Sequence, residues 1–343
     1  MGARVYFSQS FEAAAISGLF SKALADSGIS SGKIAVKVHF GEKGNTKFVQ
    51  PDQVRPITEA LRQVSPEVFL TDANTLYRGM RLNAADHLQI AREHGFGRLG
   101  VPLVIADGEK GEDEKEIPIG KKIFQKVKIA ARIAEADAIV AVSHLKGHML
   151  FSFGGAIKNL GMGCGSRSGK LEMHSRIKPS VGDGCILCDQ CVEVCPADAI
   201  DTEGDSAVID HDKCIGCARC IAACEVEAVS VPWEGATSRE VIERCAEYAY
   251  GAALGKKVIC FTFINKIAKD CDCMSDSKII GKDVGIAAST DPVACEQAAY
   301  DLTLKKHNGR DIFREATGVD GRLILEYSEA LGLGSREYEL IQI

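Results

Sequence analysis

The sequence predicts an α/β fold in which a parallel, helix-covered sheet is interrupted by a small cysteine-rich domain. Short apolar runs alternate with stretches of helical periodicity on both sides of the middle of the chain, and alternating β and α units are typical of a parallel sheet. Between these halves, eight of the 14 cysteines lie between Cys185 and Cys224. A length of 343 residues also allows more than one domain.

Before the cysteine-rich region, strands and helices are predicted to follow one another. Between residues 11 and 27, apolar residues recur on a mostly helical spacing, and Pro51 suits the first turn of a helix. The charged run Glu109–Lys122 is predicted to be a solvated loop. The predicted strands are Arg4–Phe7, Ile34–His39, Val68–Asp72, Val101–Ile105 and Ala138–Val142. The predicted helices are Phe11–Ser27, Pro51–Val64, Leu82–His94 and Ile129–Ala136.

The alternation returns after the cysteine-rich region. Asp291 precedes Pro292 and is expected to cap a helix. The predicted elements are the helix Ser238–Leu254, the strands Lys257–Phe263 and Val284–Ala288, and the helix Pro292–Lys306. We therefore divide the chain into an N-terminal part of the α/β domain (residues 1–177), an inserted domain (178–233) and a C-terminal part of the α/β domain (234–343).

The inserted domain contains two cysteine runs of the same spacing, C-x2-C-x2-C-x3-C, with the second run 29 residues after the first. This spacing is the bacterial pattern for [4Fe–4S] ligation, in which the fourth cysteine of each run serves the other cluster. Zinc ribbons instead use cysteine pairs separated by a long gap. The two predicted ligand sets are Cys185, Cys188, Cys191 and Cys224, and Cys214, Cys217, Cys220 and Cys195. The domain resembles a two-cluster bacterial ferredoxin, which implies a ferredoxin-like α+β fold.

A second group of candidate residues follows the predicted strand Ala138–Val142, where ligand sites of open α/β sheets collect. Histidines there can move protons, and two glycines before a helix can bring backbone N–H groups to an anion. The structural alternative is a glycine-rich turn with basic surface residues. The candidate catalytic residues are His144, His148, Lys158 and His174, and Gly154 and Gly155 are the candidate backbone contacts.

Two further loops carry candidates. His39 follows a predicted strand, and we expect its loop to face the region of His144 and Lys158 across one crevice. Cys271 and Cys273, in the run Asp-Cys-Asp-Cys, are candidates for a soft metal or a redox partner. The alternative is that these two thiols have no role. Three other cysteines, Cys245, Cys260 and Cys295, lie in apolar contexts that predict core residues.

Several motifs together resemble a domain-of-unknown-function family of iron–sulfur centre proteins from bacteria and archaea, many of them anaerobes. The resemblance covers nearly the whole chain and implies the α/β fold with the inserted two-cluster domain. The matching motifs are VHFGEKGNT (38–46), TDANTLYRGMR (71–81), SHLKGH (143–148), FGGAIKNLGMGC (153–164), DCDC (270–273) and DPVA (291–294).

A fainter resemblance is to the nickel-pincer lactate racemase family. It rests on the spacing His148-x9-Lys158-x15-His174, with a Gly-Gly pair shortly before the lysine. The resemblance implies that Lys158 would anchor a pincer cofactor, with His148 as acid or base and His174 as a nickel ligand. The sequence departs from that family in carrying the inserted domain, and Met162-Gly163 stands near where the family has proline-glycine.

Composition restricts the partners. A net charge of −6 argues against nonspecific nucleic-acid binding, and no apolar stretch is long enough to span a bilayer. The start of the chain lacks the pattern of a signal peptide, so its many cysteines indicate a reducing cytoplasm. Two exposed clusters would suit an anaerobic cell.

Three functions remain open from the sequence. The first is an oxidoreductase in which two [4Fe–4S] clusters pass low-potential electrons to or from a pocket lined by His39, His144, His148 and Lys158. Its expected partners are a redox protein and an anionic small-molecule substrate, and an additional metal or small cofactor would sit in the pocket. The second is a ferredoxin-type electron carrier or scaffold without catalysis. The third is isomerase-like chemistry that depends on a metal or a pincer cofactor.

Overall fold

A computed structural model describes residues 2–175, 178–202, 204–231 and 233–343. The strands of this part of the chain are Ala3–Ser8 (β1), Ile34–Val38 (β2), Val68–Asp72 (β3), Leu103–Ile105 (β4), Glu114–Pro118 (β5), Lys126–Ala130 (β6), Ala138–His144 (β7), Lys146–His148 (β8), Ser152–Gly154 (β9), Ser180–Val181 (β10), Ile200–Asp201 (β11), Val208–Ile209 (β12), Val229–Ser230 (β13), Lys257–Ile264 (β14), Gly285–Ser289 (β15) and Tyr338–Gln342 (β16).

The α-helices of the same residues are Ala13–Ser27 (α1), Pro51–Arg62 (α2), Ala84–Glu93 (α3), Ala131–Ala134 (α4), Ala156–Gly161 (α5), Arg167–His174 (α6), Gln190–Glu193 (α7), Arg219–Ala223 (α8), Ser238–Ala253 (α9), Pro292–Lys306 (α10), Ile312–Thr317 (α11) and Arg322–Leu331 (α12). Short 3-10 helices cover Phe96–Arg98 and Trp233–Gly235. None of the described helices is long and apolar enough to cross a membrane.

The core of the α/β part is an eight-stranded sheet in the order β16-β1-β15-β14-β7-β2-β3-β4. Strands β14, β7, β2, β3 and β4 are parallel to their neighbours in turn, and β1 is parallel to β16. Only β15 runs against both strands beside it. The prediction of a large, mainly parallel sheet in an α/β fold is therefore confirmed.

Helices cover both faces of this sheet because successive side chains of its strands point to opposite faces. In β7, Ile139 and Ala141 belong to the apolar cluster that includes α5, α9 and α10. The alternate residues Val140 and Val142 belong to the cluster that includes α1 and α2. Strand β7 is buried along its whole length, as expected for a strand covered on both faces.

The strand predicted at Val284–Ala288 is present as β15, but it runs antiparallel to both neighbours because it returns directly from β14 through a loop, without a crossover helix. Two other element predictions were wrong. The helix predicted at Ile129–Ala136 begins only at Ala131, because residues 126–130 pair with β5. The same pairing places a strand inside the charged run Glu109–Lys122, which was predicted to be a loop. The charged residues of the run fall on β5, which is largely solvent-exposed, whereas Val127, Ile129 and Ala130 of β6 are buried.

The cysteine-rich segment (residues 178–233) lies in the crossover between the adjacent parallel strands β7 and β14. Strand β10 pairs with β13, and β11 pairs with β12, so the chain enters and leaves the segment side by side. The segment contacts the α/β part through a small apolar cluster that contains Leu76, Leu171, Ala218 and Val231. It therefore packs against the loop that follows β3.

Candidate functional site

Four neighbouring strands of the central sheet end at one edge, and chemically active side chains follow each of them. His39 follows β2, Asp72 ends β3 and His144 ends β7. Cys271 lies in the loop between β14 and β15. The four strands are parallel, so their carboxyl ends meet where open α/β sheets bind ligands. This edge is the candidate site.

A network of buried charges lies beneath the site. Lys37 Nζ is 2.9 Å from Asp72 Oδ1, and Arg81 Nη1 and His87 Nε2 lie 3.4 and 3.5 Å from Asp72 Oδ2. Burial by itself raises the pKa of Asp72, but Lys37, His87 and Arg81 together hold it well below its usual range. Each buried charge thus has a partner, which is the condition for keeping charges in a protein interior.

A second buried ion pair anchors the loop that carries the two cysteines. His144 Nδ1 is 2.9 Å from Asp272 Oδ1, and His144 Nε2 is 2.7 Å from the carbonyl oxygen of Asn265. Both partners are acceptors, so the ring is held from both sides. Burial raises the pKa of Asp272, but His144 and Lys146 outweigh it and lower that pKa well below its usual range. Asp272, between the two cysteines, is therefore fixed in place as an anion.

Cys271 and Cys273 come together at the centre of the site. Their Sγ atoms are 3.2 Å apart. Lys158 Nζ lies 3.9 Å from Cys271 Sγ, and Arg81 Nη2 lies 3.3 Å from Cys273 Sγ. The hydrogen bond from Cys273, helped by Lys158, holds the pKa of Cys271 well below that of a free thiol. The same hydrogen bond raises the pKa of Cys273. The pair is a thiolate beside a thiol.

His39 faces this pair in a defined tautomer. The backbone N–H of Gly41 donates to His39 Nδ1 over 3.0 Å, and His39 Nε2 lies 3.7 Å from Cys273 Sγ. Burial, and then Arg81, lowers the pKa of His39 well below its usual value. The ring is therefore neutral, and because Nδ1 accepts, its proton is on Nε2 and directed at the sulfur.

Two glycines allow the polypeptide to approach this closely. A Cβ at Gly147 would overlap the carbonyl oxygen of Lys269, because the hairpin of β8 and β9 lies directly against the Cys-x-Cys loop. The backbone N–H of Gly147 donates to the carbonyl oxygen of Ala268 over 2.7 Å. A Cβ at Gly154 would lie 2.7 Å from Cδ of Lys158. Glycine at these positions leaves room for the loop and for the lysine side chain.

His148 and His174 lie close enough to Lys158 to feel its charge. Burial, and then Lys158 and His174, lowers the pKa of His148 well below its usual value. Burial and Lys158 lower the pKa of His174 to about 3. The His174 ring packs edge-on against Trp233, with ring centroids 5.0 Å apart. Both histidines are therefore neutral near pH 7 and add no positive charge beside Lys158.

The N-terminus of α5 already has a carboxylate beside it. The N–H of Ile157 donates to Glu296 of α10, and Gly155 also donates a backbone hydrogen bond to this carboxylate. Burial raises the pKa of Glu296 to about 7. The idea that Gly154 and Gly155 hold an external anion stays a prediction. Asp291 caps α10, as predicted, by accepting from the N–H groups of Val293 and Ala294.

Two cavities in the cysteine-rich segment are each lined by four cysteines. Each has about 340 Å³ of empty space, counting its opening to solvent. Each set of four combines three cysteines of one run with the last cysteine of the other. The first cavity is lined by Cys185, Cys188, Cys191 and Cys224. The second is lined by Cys195, Cys214, Cys217 and Cys220.

The donor set of these cavities fits iron–sulfur clusters better than single metal ions. All eight cysteines are free thiols, and the N–H groups of Ala199, Ala207 and Val229 point at cysteine Sγ atoms from 3.3 to 3.4 Å. Hydrogen bonds to sulfur are a normal feature of cluster sites. Within the described ranges, no three His, Cys, Asp or Glu side chains converge closely enough for one ion. Four thiols spaced around a cavity suit a larger group.

One loop connects the cysteine-rich segment to the site at the sheet edge. Arg78 Nη2 donates to the carbonyl oxygen of Cys224 over 2.5 Å, and Arg78 Nε pairs with Glu227 at 3.3 Å. In the same loop, Arg81 contacts both the Tyr77 hydroxyl and Cys273 Sγ. The loop after β3 therefore contacts a lining residue of the first cavity and a thiol of the site.

The structure brings most of the predicted pocket residues together. His39, Lys158, Cys271 and Cys273 are in direct contact, and His144 reaches the cysteines through Asp272. His148 and His174 are near Lys158. Sequence reasoning did not single out the residues that complete the charge network, although four of them (Asp72, Arg81, Lys146 and Asp272) lie in motifs quoted above. The other two are Lys37 and His87, and Glu296 beside α5 was also missed.

The fold and site define an α/β protein with a mainly parallel sheet and a polar site at its carboxyl edge. Residues 34–301 match the family model described as domain of unknown function (DUF362). Since this match covers most of the chain, the protein belongs to that family. No curated protein matches it by sequence.

Two solved structures are similar to this chain. The lactate racemase apoprotein from Thermoanaerobacterium thermosaccharolyticum is 14% identical over 66% of this chain and 49% of its own, with a TM-score of 0.35. A Thermotoga maritima protein from a structural genomics programme is 13% identical over 86% of this chain and 59% of its own, with a TM-score of 0.40. This chain thus spans about half the length of the racemase and somewhat more of the second protein.

Proposed function

We propose that the protein is an iron–sulfur oxidoreductase. In this proposal, residues 178–233 hold two [4Fe–4S] clusters that exchange electrons with the site at the sheet edge. When bound, the clusters supply one-electron transfer and no acid–base chemistry. The observation that carries the proposal is the lining of the two cavities, because each combines three cysteines of one run with the fourth of the other. The ligand sets derived from spacing are the same two sets.

The surface around the cavities supports exchange with a redox partner protein. Ile186 and Ile215 each follow the first cysteine of a run and are 64% and 59% exposed. Exposed apolar residues of this size are commonly found at protein–protein contacts. Their equivalent positions in the two halves give each cavity an apolar rim.

The site at the sheet edge supports binding of an anionic small molecule. Among the described carboxylates, none forms an ion pair with Lys158, whose contacts are the Cys271 sulfur and the Phe151 ring. An ammonium group without a carboxylate partner can hold an anion beside the two thiols. A binding site of this kind favours catalysis over electron carriage alone.

Metal and sulfide analysis tests the cluster part of the proposal. Protein purified without oxygen should contain about eight iron and eight acid-labile sulfide per chain, because two cubanes are expected from the ligand count. Protein with zinc and little iron would contradict it.

The crossed ligand sets have their own test. In Cys195→Ser, the electron paramagnetic resonance signal of the cluster at Cys214, Cys217 and Cys220 should be altered. In Cys224→Ser, the signal of the other cluster should change instead. The crossed assignment would be refuted if Cys195→Ser altered the cluster at Cys185, Cys188 and Cys191. It would equally be refuted if Cys224→Ser altered the cluster at Cys214, Cys217 and Cys220.

The electron-carrier alternative is separated from catalysis by Lys158→Ala. We expect this variant to keep both clusters and its melting temperature but to lose binding of anionic ligands in a calorimetric screen of small carboxylates and phosphates. If it binds the same anions as the unmodified protein, the edge site has no binding role and the carrier alternative is favoured. Lys146→Ala is not a suitable control because Lys146 neutralises Asp272.

A further inference from the structure

We propose that Cys271 and Cys273 form a reversible disulfide, which makes the Cys-x-Cys loop a two-electron redox centre at the sheet edge. This proposal rests on the proposed function, because the electrons for the reduction come from the two [4Fe–4S] clusters. It goes further by naming the group in the site that accepts them.

The two sulfur atoms are placed for bond formation. Their separation of 3.2 Å is about 1.1 Å longer than a disulfide bond, so closure requires only a small movement of the side chains. The loop is held at its base by the bridge between Ala268 and Ile279 and by the bond from the N–H of Asp270 to Ser277 Oγ. The middle of the loop is held by Asp272, whose carboxylate contacts His144 and Lys146. The loop therefore keeps both thiols together in the reduced state.

The charges around the pair favour thiol chemistry over a bound cation. Lys158 and Arg81 lie beside one sulfur each, and cationic neighbours stabilise a thiolate, which is the nucleophile in disulfide exchange. His39 directs an N–H at Cys273, so its Nε2 has no lone pair to offer a metal. A metal at this position would be surrounded by positive groups and would have only the two thiols as ligands.

The reduction step balances with two electrons and one proton. The S–S bond breaks, Cys271 becomes a thiolate beside Lys158, and Cys273 becomes a thiol by taking one proton from solvent. Two [4Fe–4S] clusters held by the cysteine-rich segment would each supply one electron, which together are the two electrons that one disulfide needs. In the reverse direction, the thiolate and thiol release one proton and return two electrons.

The loop after β3 lies between donor and acceptor. Arg78 contacts the carbonyl oxygen of Cys224, which lines the first cavity. Three residues later, Arg81 contacts Cys273 Sγ. A short stretch of one loop therefore spans the distance from the cysteine-rich segment to the dithiol.

Peptide mapping tests the proposal without measuring activity. Trypsin cleaves after Lys269 and Lys278, so both cysteines are released in one peptide that contains no other cysteine. The whole protein is equilibrated anaerobically in mixtures of reduced and oxidised dithiothreitol and quenched in acid, which stops thiol–disulfide exchange. It is then transferred to denaturant with iodoacetamide at mildly alkaline pH, where thiolates are alkylated, and its tryptic peptides are analysed by mass spectrometry. We expect the peptide to change from doubly alkylated to an unalkylated form lighter than the dithiol by two hydrogens.

Controls separate this proposal from the cluster proposal. In Cys273→Ser, the peptide should carry one alkyl group in every buffer, and buried Cys295 should be alkylated throughout. Iron content is measured on the same samples. A peptide that stays in one form across all buffers overturns the disulfide even if the iron is present. Reversible oxidation in protein without iron would support the disulfide but contradict its electron source.

Discussion

His174→Gln should remove part of the acid sensitivity of the fold. In the folded protein the Nδ1 atom of His174 is enclosed without a hydrogen-bond partner among the described residues, and Lys158 adds positive potential. Burial is the larger cause of the fall in its pKa to about 3. In the unfolded chain the pKa returns to about 6.5.

The difference in proton binding sets the sign and size of the effect. Between these two pKa values the unfolded chain binds a proton that the folded protein does not, so stability falls as the pH is lowered through about 6.5. At about pH 5 this proton uptake lowers the free energy of unfolding by about 2 kcal/mol, and at about pH 8 the effect is close to zero. His174→Gln cannot take up this proton, so its stability should fall by about 2 kcal/mol less than that of the unmodified protein over this range.

Denaturant unfolding at the two pH values measures this difference, and His211→Gln is the control because His211 is exposed. Trp233, which packs on His174, is the only tryptophan, so its fluorescence also reports the charge of the ring. A fluorescence titration of the folded protein with a midpoint near pH 6.5 would refute the reasoning. So would a free energy of unfolding that depends on pH equally in His174→Gln and in the unmodified protein.

Three further predictions concern the Cys-x-Cys loop. Asp272→Asn should destabilise the fold by about 3–5 kcal/mol, because it leaves buried cations unpaired; thermal unfolding measures this, and Asp276→Asn on the exposed part of the loop should have little effect. Gly147→Ala should displace the loop and slow alkylation of Cys271, and unchanged kinetics would contradict the close contact. Lys158→Ala should raise the pKa of Cys271, so its alkylation rate should rise with pH at a higher midpoint, whereas an unmoved midpoint would show that the lysine does not stabilise the thiolate.

Most strands and helices of the α/β part were predictable because their patterns are local. Strand β3 and helix α10 have the bounds that the sequence predicted. The direction of β15 was not predictable, because it depends on whether its connecting loop crosses the sheet or returns along one edge. The hairpin of β5 and β6 was missed because β5 is charged and largely exposed, which removes the apolar alternation that predicts a strand. Without a recognisable partner strand, the apolar end of β6 was assigned to the helix that follows it.

The candidate site was predictable in its location but not in its chemistry. The sequence placed His39, His144 and Lys158 at strand ends, and the sheet brings such ends together. It did not indicate that His144 would pair with Asp272, because that pairing joins residues far apart in the chain. Nor did it indicate that Arg81 would lie beside Cys273. Long-range ion pairs leave no periodic signal in a single sequence.

The side-by-side entry and exit of the cysteine-rich segment explain how such an insertion is tolerated. Parallel neighbours such as β7 and β14 always need a long crossover, and a segment whose two ends are paired strands adds length to that crossover without changing where its ends lie. On the far side of this junction, Tyr248 of α9 donates to Glu172 of α6 over 2.7 Å, so the helices flanking the segment are joined directly. The segment can therefore be gained, exchanged or lost in evolution as a unit while the register of the sheet stays the same.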